Sequence, residues 1–230
     1  MSYLNQFERR VYSQNGEDGI LLELIRLINP VRFFVEFGVE SGIECNTRVL
    51  KHDGWVGVCW DGGNANHDWN LYQERVTAEN INALFSKYHV PCDLGVLSID
   101  IDGNDFHVWR AIDERYRPSI VIIEYNASVP LGQARTIPYD PAFRWDFTSY
   151  YGASFSAIKL LGIRKGYSIV CTDTRGVNAF LVRDDLLHAL PQEVLGELVD
   201  DSAIYHPVGY GQNNCGHNPD HAGRPWDEVT

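Results

Sequence analysis

Asp100, Asp102, Asn104 and Asp105 crowd three carboxylates and an amide into six positions, directly after an apolar run that reads as a strand. On an open α/β sheet, ligands collect outside the carboxyl ends of the strands. Oxygen donors gathered there suit a hard divalent cation such as Mg²⁺, Mn²⁺ or Ca²⁺. The pattern is not an EF-hand: the glycine, Gly103, comes too early and Ala111 occupies the place of the last ligand. The competing reading is an Asx turn with Asp105 capping the next helix. Residues 119–125 are the most β-branched stretch of the chain and end in Glu124, followed by Tyr125 and Asn126. Adjacent parallel strands bring such ends together, so the expected metal ligands are Asp100, Asp102, Glu124 and Asn126. Asp100 and Asp102 are also the expected catalytic carboxylates. His107, one helical turn beyond them, is the candidate base, with a structural helix histidine as its alternative.

Two earlier strand ends carry a different chemistry. Glu36, Gly38 and Gly42 follow the apolar run 33–37. Glycines there let the backbone approach a ligand, and the following helix would offer its N–H groups to a charged end. The third glycine of a dinucleotide fingerprint is missing. An acidic side chain before the first glycine suits the ammonium of an amino-acid ligand. Asp61 and Gly62 close the next strand, where a carboxylate can accept both hydroxyls of a ribose. Each motif also reads as a plain turn.

These positions need elements to hold them. Apolar spacing predicts a helix over 20–28, capped by Asp18 and ended by Asn29 and Pro30. A second helix is expected after Gly42 to Lys51, with further helices over 79–88, 105–115 and 154–161. Strands are expected at 33–37, 55–60, 94–100, 119–125, 167–171 and 179–182. Such alternation predicts a Rossmann-like, doubly wound, mostly parallel sheet in one domain. The short turn at 173–176 predicts an antiparallel strand at its C-terminal end. Residues 126–151 are long, aromatic and proline-containing, as expected of a lid or acceptor loop. Residues 206–230 read as an irregular tail. Its His206, Cys215, His217 and His221 hint at zinc without a recognised spacing, so a polar flap is the preferred reading.

Composition narrows the partners. The 230 residues carry a formal net charge of −12 and contain no basic run, which disfavours nucleic acid. No apolar run reaches membrane-spanning length and the N-terminus does not read as a signal peptide. Five scattered cysteines without a C-x-x-C pair fit a reducing cytoplasm. A small-molecule partner is therefore expected, and assembly into a homo-oligomer is left open.

With these residues in view, the chain resembles the FkbM-like branch of class I S-adenosylmethionine (SAM) dependent methyltransferases, from about Tyr12 to Arg183. The resemblance rests on residues 13–18 (Ser13, Gln14, Asn15, Gly16, Glu17, Asp18), 35–38, Asp61-Gly62, 97–103, 151–154 and 178–183. It implies a class I methyltransferase fold and SAM contacts at Gln14, Glu36, Gly38 and Asp61. It further implies O-methylation of a sugar, polysaccharide precursor or other small hydroxylated metabolite, and it strengthens the expectation of Mg²⁺ or Mn²⁺ at Asp100 and Asp102. Two rival readings stand beside it. Asp100-x-Asp102-Gly103 also resembles the haloacid-dehalogenase phosphohydrolases, with Asp184-Asp185 as their later acidic pair. A non-catalytic SAM-binding module is the other.

Overall fold

The computed structural model describes residues 2–230. Its central sheet is built from strands that are buried on both faces, which is why they read as unbroken apolar runs rather than alternating ones. Along the chain these strands are β1 (Phe33–Phe37), β2 (Val56–Asp61), β3 (Leu71–Gln73), β4 (Val96–Ile99) and β5 (Ile120–Glu124). A two-residue β6 (Arg135–Thr136) follows, then β7 (Tyr167–Thr172), β8 (Asn178–Arg183) and a second two-residue strand, β9 (Asp227–Glu228). The order across the seven-stranded sheet is β3-β2-β1-β4-β5-β8-β7, while β6 and β9 form a separate pair. Strands β1 to β5 are mutually parallel, and β8 runs antiparallel to both of its neighbours. The antiparallel ending expected from the 173–176 turn is present, with β8 inserted between β5 and the edge strand β7.

Helices cover both faces. They are α1 (Glu17–Ile28), α2 (Arg48–His52), α3 (Ile81–Lys87), α4 (Asp105–Ala111), α5 (Phe155–Lys165), α6 (Gln192–Glu197) and α7 (Asp201–Ile204). Val35, Phe37, Leu97, Ile99, Val121 and Ile123 point to one face, against Phe85 of α3, Trp109 of α4 and Ile158 of α5. Their neighbours Phe34, Val96, Ile120 and Ile122 face the other layer, where α1 supplies Ile20, Leu21 and Leu24 and α6 supplies Val194. This is a doubly wound sheet.

Several boundaries differ from the sequence reading, each for a local reason. Asp18 does not cap α1; Gly16 does, in a left-handed conformation (φ 115°). The Asp18 Oδ2 instead accepts hydrogen bonds from the N–H groups of Val11, Tyr12 and Ser13 and from the Ser13 hydroxyl, at 2.6–2.9 Å. The helix expected after Gly42 begins only at Arg48, because the preceding backbone is captured by Glu36 rather than by its own carbonyls. Strand β3 escaped the sequence reading, since three residues carry no detectable period. Among the described residues no helix is long and apolar enough to cross a membrane, and all five cysteines are free.

Candidate active site

The strand order reverses between β1 and β4, and the crevice of an open sheet lies outside the carboxyl ends at such a reversal. Gly38 stands at that point. Its φ is +83°, and a Cβ added there would lie 1.3 Å from the carbonyl oxygen of Asp100, so only glycine lets the two strand ends approach. Gly42 closes a tight turn by donating its N–H to the carbonyl of Val39 at 2.8 Å. Gly62 has open space where a side chain would be.

Asp61 ends β2 with its carboxylate anchored from two sides. Oδ2 accepts the N–H of Glu40 at 2.9 Å, and Oδ1 accepts those of Gly63 and Asn64 at 2.8 Å. Asp61 thereby joins the β1 and β2 turns, and it lines a cleft of ≈ 150 Å³ with Gly38, Gly62, Asp102 and Asn104. Among the residues lining this cleft, the Trp60 indole N–H and the Asn104 side-chain carbonyl are buried without a hydrogen-bond partner. Trp60 reads from sequence as a core aromatic, while Asn104, counted there among the oxygen donors of the acidic cluster, lies outside the carboxylate triad. Gln14 is exposed in the loop before α1 and is not among the residues lining the cleft.

Glu36 corrects an expectation. It is only 3% exposed, and both carboxylate oxygens are engaged within the protein. Oε1 accepts from the Asn46 N–H at 2.8 Å and the Ser98 hydroxyl at 3.1 Å, while Oε2 accepts from the Thr47 N–H at 2.9 Å and its hydroxyl at 2.5 Å. Burial raises its pKa, and these hydrogen bonds oppose the rise. Glu36 shapes the β1–α2 connection rather than offering a carboxylate to a ligand's ammonium.

Asp100, Asp102 and Glu124 do come together. Each offers an oxygen, all within 4.8 Å of one another. Among the described residues no hydrogen bond or ion pair engages these three carboxylates, and the Glu124 Oε2 is buried without a partner. Burial, and then the charges of Asp102 and Asp105, push the Asp100 pKa well up. Burial and the Asp100 charge do the same to Glu124, while Asp102 rises to about 6 through burial and Asp105. Such mutual repulsion is relieved by a cation, and an all-oxygen donor set fits Mg²⁺ or Mn²⁺. Asp105 is not a ligand here. Asn104 takes the cap position, and Asp105 folds back to accept the N–H groups of Ile101 at 2.7 Å and Gly103 at 2.8 Å.

Three other sequence candidates are committed elsewhere. Asn126 donates both amide hydrogens, to the carbonyls of Ser149 at 2.9 Å and Tyr151 at 2.8 Å, and accepts the Ser128 N–H at 2.9 Å. It therefore organises the loop, and Glu124 is the contribution of β5 to the triad. His107 is 3% exposed, with its pKa lowered by burial. Its Nε2 meets the carbonyl of Ile137 at 2.7 Å and its Nδ1 faces Arg110, so it pins the loop instead of serving as a base in the crevice. Asp184 and Asp185 follow β8, whose antiparallel course places them at the opposite edge from the triad. There Asp184 accepts from the Ser168 hydroxyl and Asp185 pairs with Arg183. The late acidic pair of a phosphohydrolase is absent from this crevice.

Residues 126–151 lie over the carboxyl ends of the strands. Asn104 donates to the carbonyl of Asp140 at 2.8 Å, Tyr139 bonds to Glu79 and to the N–H of Ala78, and Arg75 donates to the carbonyl of Pro141. The Phe143 ring fills the space above Gly103. The tail is largely irregular, as expected, and it is fastened to the loop. It pairs β9 with β6, Tyr150 donates to the carbonyl of Pro225 at 2.6 Å, and Arg224 bridges Asp146 and Asp220. Its histidines and Cys215 form no metal cluster among the described residues.

No protein-family model and no curated protein sequence matches the chain.

Proposed function

We propose that this chain is a SAM-dependent O-methyltransferase acting on a hydroxyl of a sugar, polysaccharide precursor or other small metabolite, with help from a divalent cation. One observation carries the reading: Asp102 belongs both to the cleft bordered by Gly38, Asp61 and Gly62 and to the carboxylate triad. Methyl transfer is an in-line displacement, so donor and acceptor must lie side by side. A cleft and a cation site that share a residue meet that demand.

SAM, when bound, supplies the methyl group on a sulfonium centre. Asp61 would accept its ribose hydroxyls, and Gly38 would let the ligand lie close to the backbone. The unpartnered Trp60 N–H and Asn104 carbonyl suit a heteroaromatic base, which offers both an acceptor and a donor. A cation held by Asp100, Asp102 and Glu124 supplies Lewis acidity toward an acceptor hydroxyl.

Calorimetry with SAM and S-adenosylhomocysteine, with and without MgCl₂ or MnCl₂, tests the proposal. Binding of both is expected, and Asp61→Ala should weaken it by roughly 1.5–3 kcal/mol, the worth of a charge-assisted hydrogen bond. Asp61 also ties Glu40 to Asn64, so Asp61→Asn serves as the milder control. Absence of binding by a folded wild-type protein overturns the reading.

A further inference from the structure

Aromatic residues from the 126–151 loop and from the tail form a continuous lane beside the triad. Its inner end is Tyr151, whose carbonyl is held by Asn126, two positions beyond Glu124. Burial, and next the charge of Glu124, raise the pKa of the Tyr151 hydroxyl. That hydroxyl meets the Tyr210 hydroxyl at 2.7 Å. His217 sits between the two segments, with ring centroids 4.5 Å from Trp145, 5.6 Å from Tyr151 and 5.0 Å from Tyr210. Trp145 leads on to Phe147 at 4.8 Å. Phe147 is 70% exposed and held at φ 64°. A bulky residue is rarely found in left-handed backbone, and a ring left in water gains little from burial. Packing alone does not account for it.

We propose that this lane is the acceptor wall, that the tail supplies its Tyr210 and His217, and that the acceptor is a neutral pyranoside. The assignment rests on the methyltransferase reading for the reaction, but the wall's recognition chemistry stands on its own residues. Faces of Trp145 and Phe147 carry the negative side of the aromatic quadrupole, which attracts the C–H face of a sugar ring. The half-buried Tyr210 hydroxyl, backed by that of Tyr151, can donate to or accept from a ring hydroxyl. The net charge of −12 disfavours a phosphorylated or carboxylated sugar.

Saturation-transfer NMR on the full chain with MgCl₂ tests this, using methyl α-D-glucopyranoside as the probe and open-chain sorbitol as the comparison. Transfer to the pyranoside ring protons is expected, with little to sorbitol. Phe147→Ser should reduce it about fivefold, the range expected of a single aromatic face. Its melting temperature should be unchanged, since the ring is in water. His217→Ala should abolish transfer, and His217→Phe, which keeps the packing, should retain part of it. Equal transfer in wild type and Phe147→Ser, equal transfer to sorbitol, or none to the pyranoside overturns the wall. S-adenosylhomocysteine binding, measured on the same samples, separates the two claims. A pyranoside signal that Phe147→Ser weakens, in a protein that does not bind S-adenosylhomocysteine, supports the wall and overturns the methyltransferase. Nucleoside binding without a pyranoside signal does the reverse.

Discussion

Position 38 illustrates how little freedom single residues have at the crevice. A methyl group there would overlap the Asp100 carbonyl and also force an L residue into left-handed backbone. Gly38→Ala is expected to destabilise the fold by about 3 kcal/mol or more, combining overpacking with backbone strain. Urea denaturation measures this, and a loss under about 1 kcal/mol would mean that the strand ends part easily. The triad makes a second demand. Asp100, Asp102 and Glu124 hold protons more tightly than ordinary carboxylates, chiefly through burial, with Asp102 near 6. Without metal, the folded state therefore binds more protons than the unfolded one above the ordinary carboxylate range. Stability falls as pH rises through the raised values. A cation binds the ionised triad, so the gain in melting temperature from MgCl₂ should be small near pH 5 and grow toward pH 8 in chelator-treated protein. A gain that does not vary with pH would place the cation elsewhere. Glu124→Gln should remove most of that gain.

At the scale of elements, the crevice depends on side chains that fasten connections. Glu36 does this for the β1–α2 turn and Asn126 for the loop after β5. His107 fastens the covering loop from α4, acting as a neutral imidazole because burial lowers its pKa. His107→Phe would leave the Ile137 carbonyl without its partner, a cost of about 1–3 kcal/mol. Hydrogen exchange should accelerate across 137–143 while SAM affinity stays close to wild type. An unchanged exchange pattern would show that Tyr139, Asn104 and Arg75 hold the loop unaided.

For the whole molecule, the tail acts as a strap across the carboxyl edge of the sheet. Tyr125 donates to the carbonyl of His206 at 2.6 Å, Thr172 meets the His206 ring at 2.9 Å, and β9 closes on β6. A chain ended after Tyr205 leaves the Tyr125 and Tyr150 hydroxyls unpaired and uncovers the Trp145 face. Its melting temperature should drop by roughly 5–10 °C, given 1–3 kcal/mol per unsatisfied buried group in a chain of this size. Scanning calorimetry checks this, and a drop within about 2 °C, below 1 kcal/mol, would return the tail to the role of a loose flap.

Much of the sheet was legible because buried parallel strands write themselves as contiguous apolar, β-branched runs, as at 33–37 and 119–125. The convergence of Asp100, Asp102 and Glu124 was legible for a related reason, since parallel neighbours end at the same edge. Strands β3, β6 and β9 were not legible, because two or three residues carry no period. Nor were the duties of Glu36, His107 and Asn126. Each has the residue type that its expected role requires, yet what a buried polar group bonds to is settled by whichever donor or acceptor the fold delivers. For His107 that is a carbonyl thirty positions away, and for Asn126 carbonyls more than twenty away. Local sequence determined which segments are strands and where acids cluster. Tertiary structure decided which of those acids keep free oxygens, because every buried polar group must find a partner and only the assembled fold shows which ones do not.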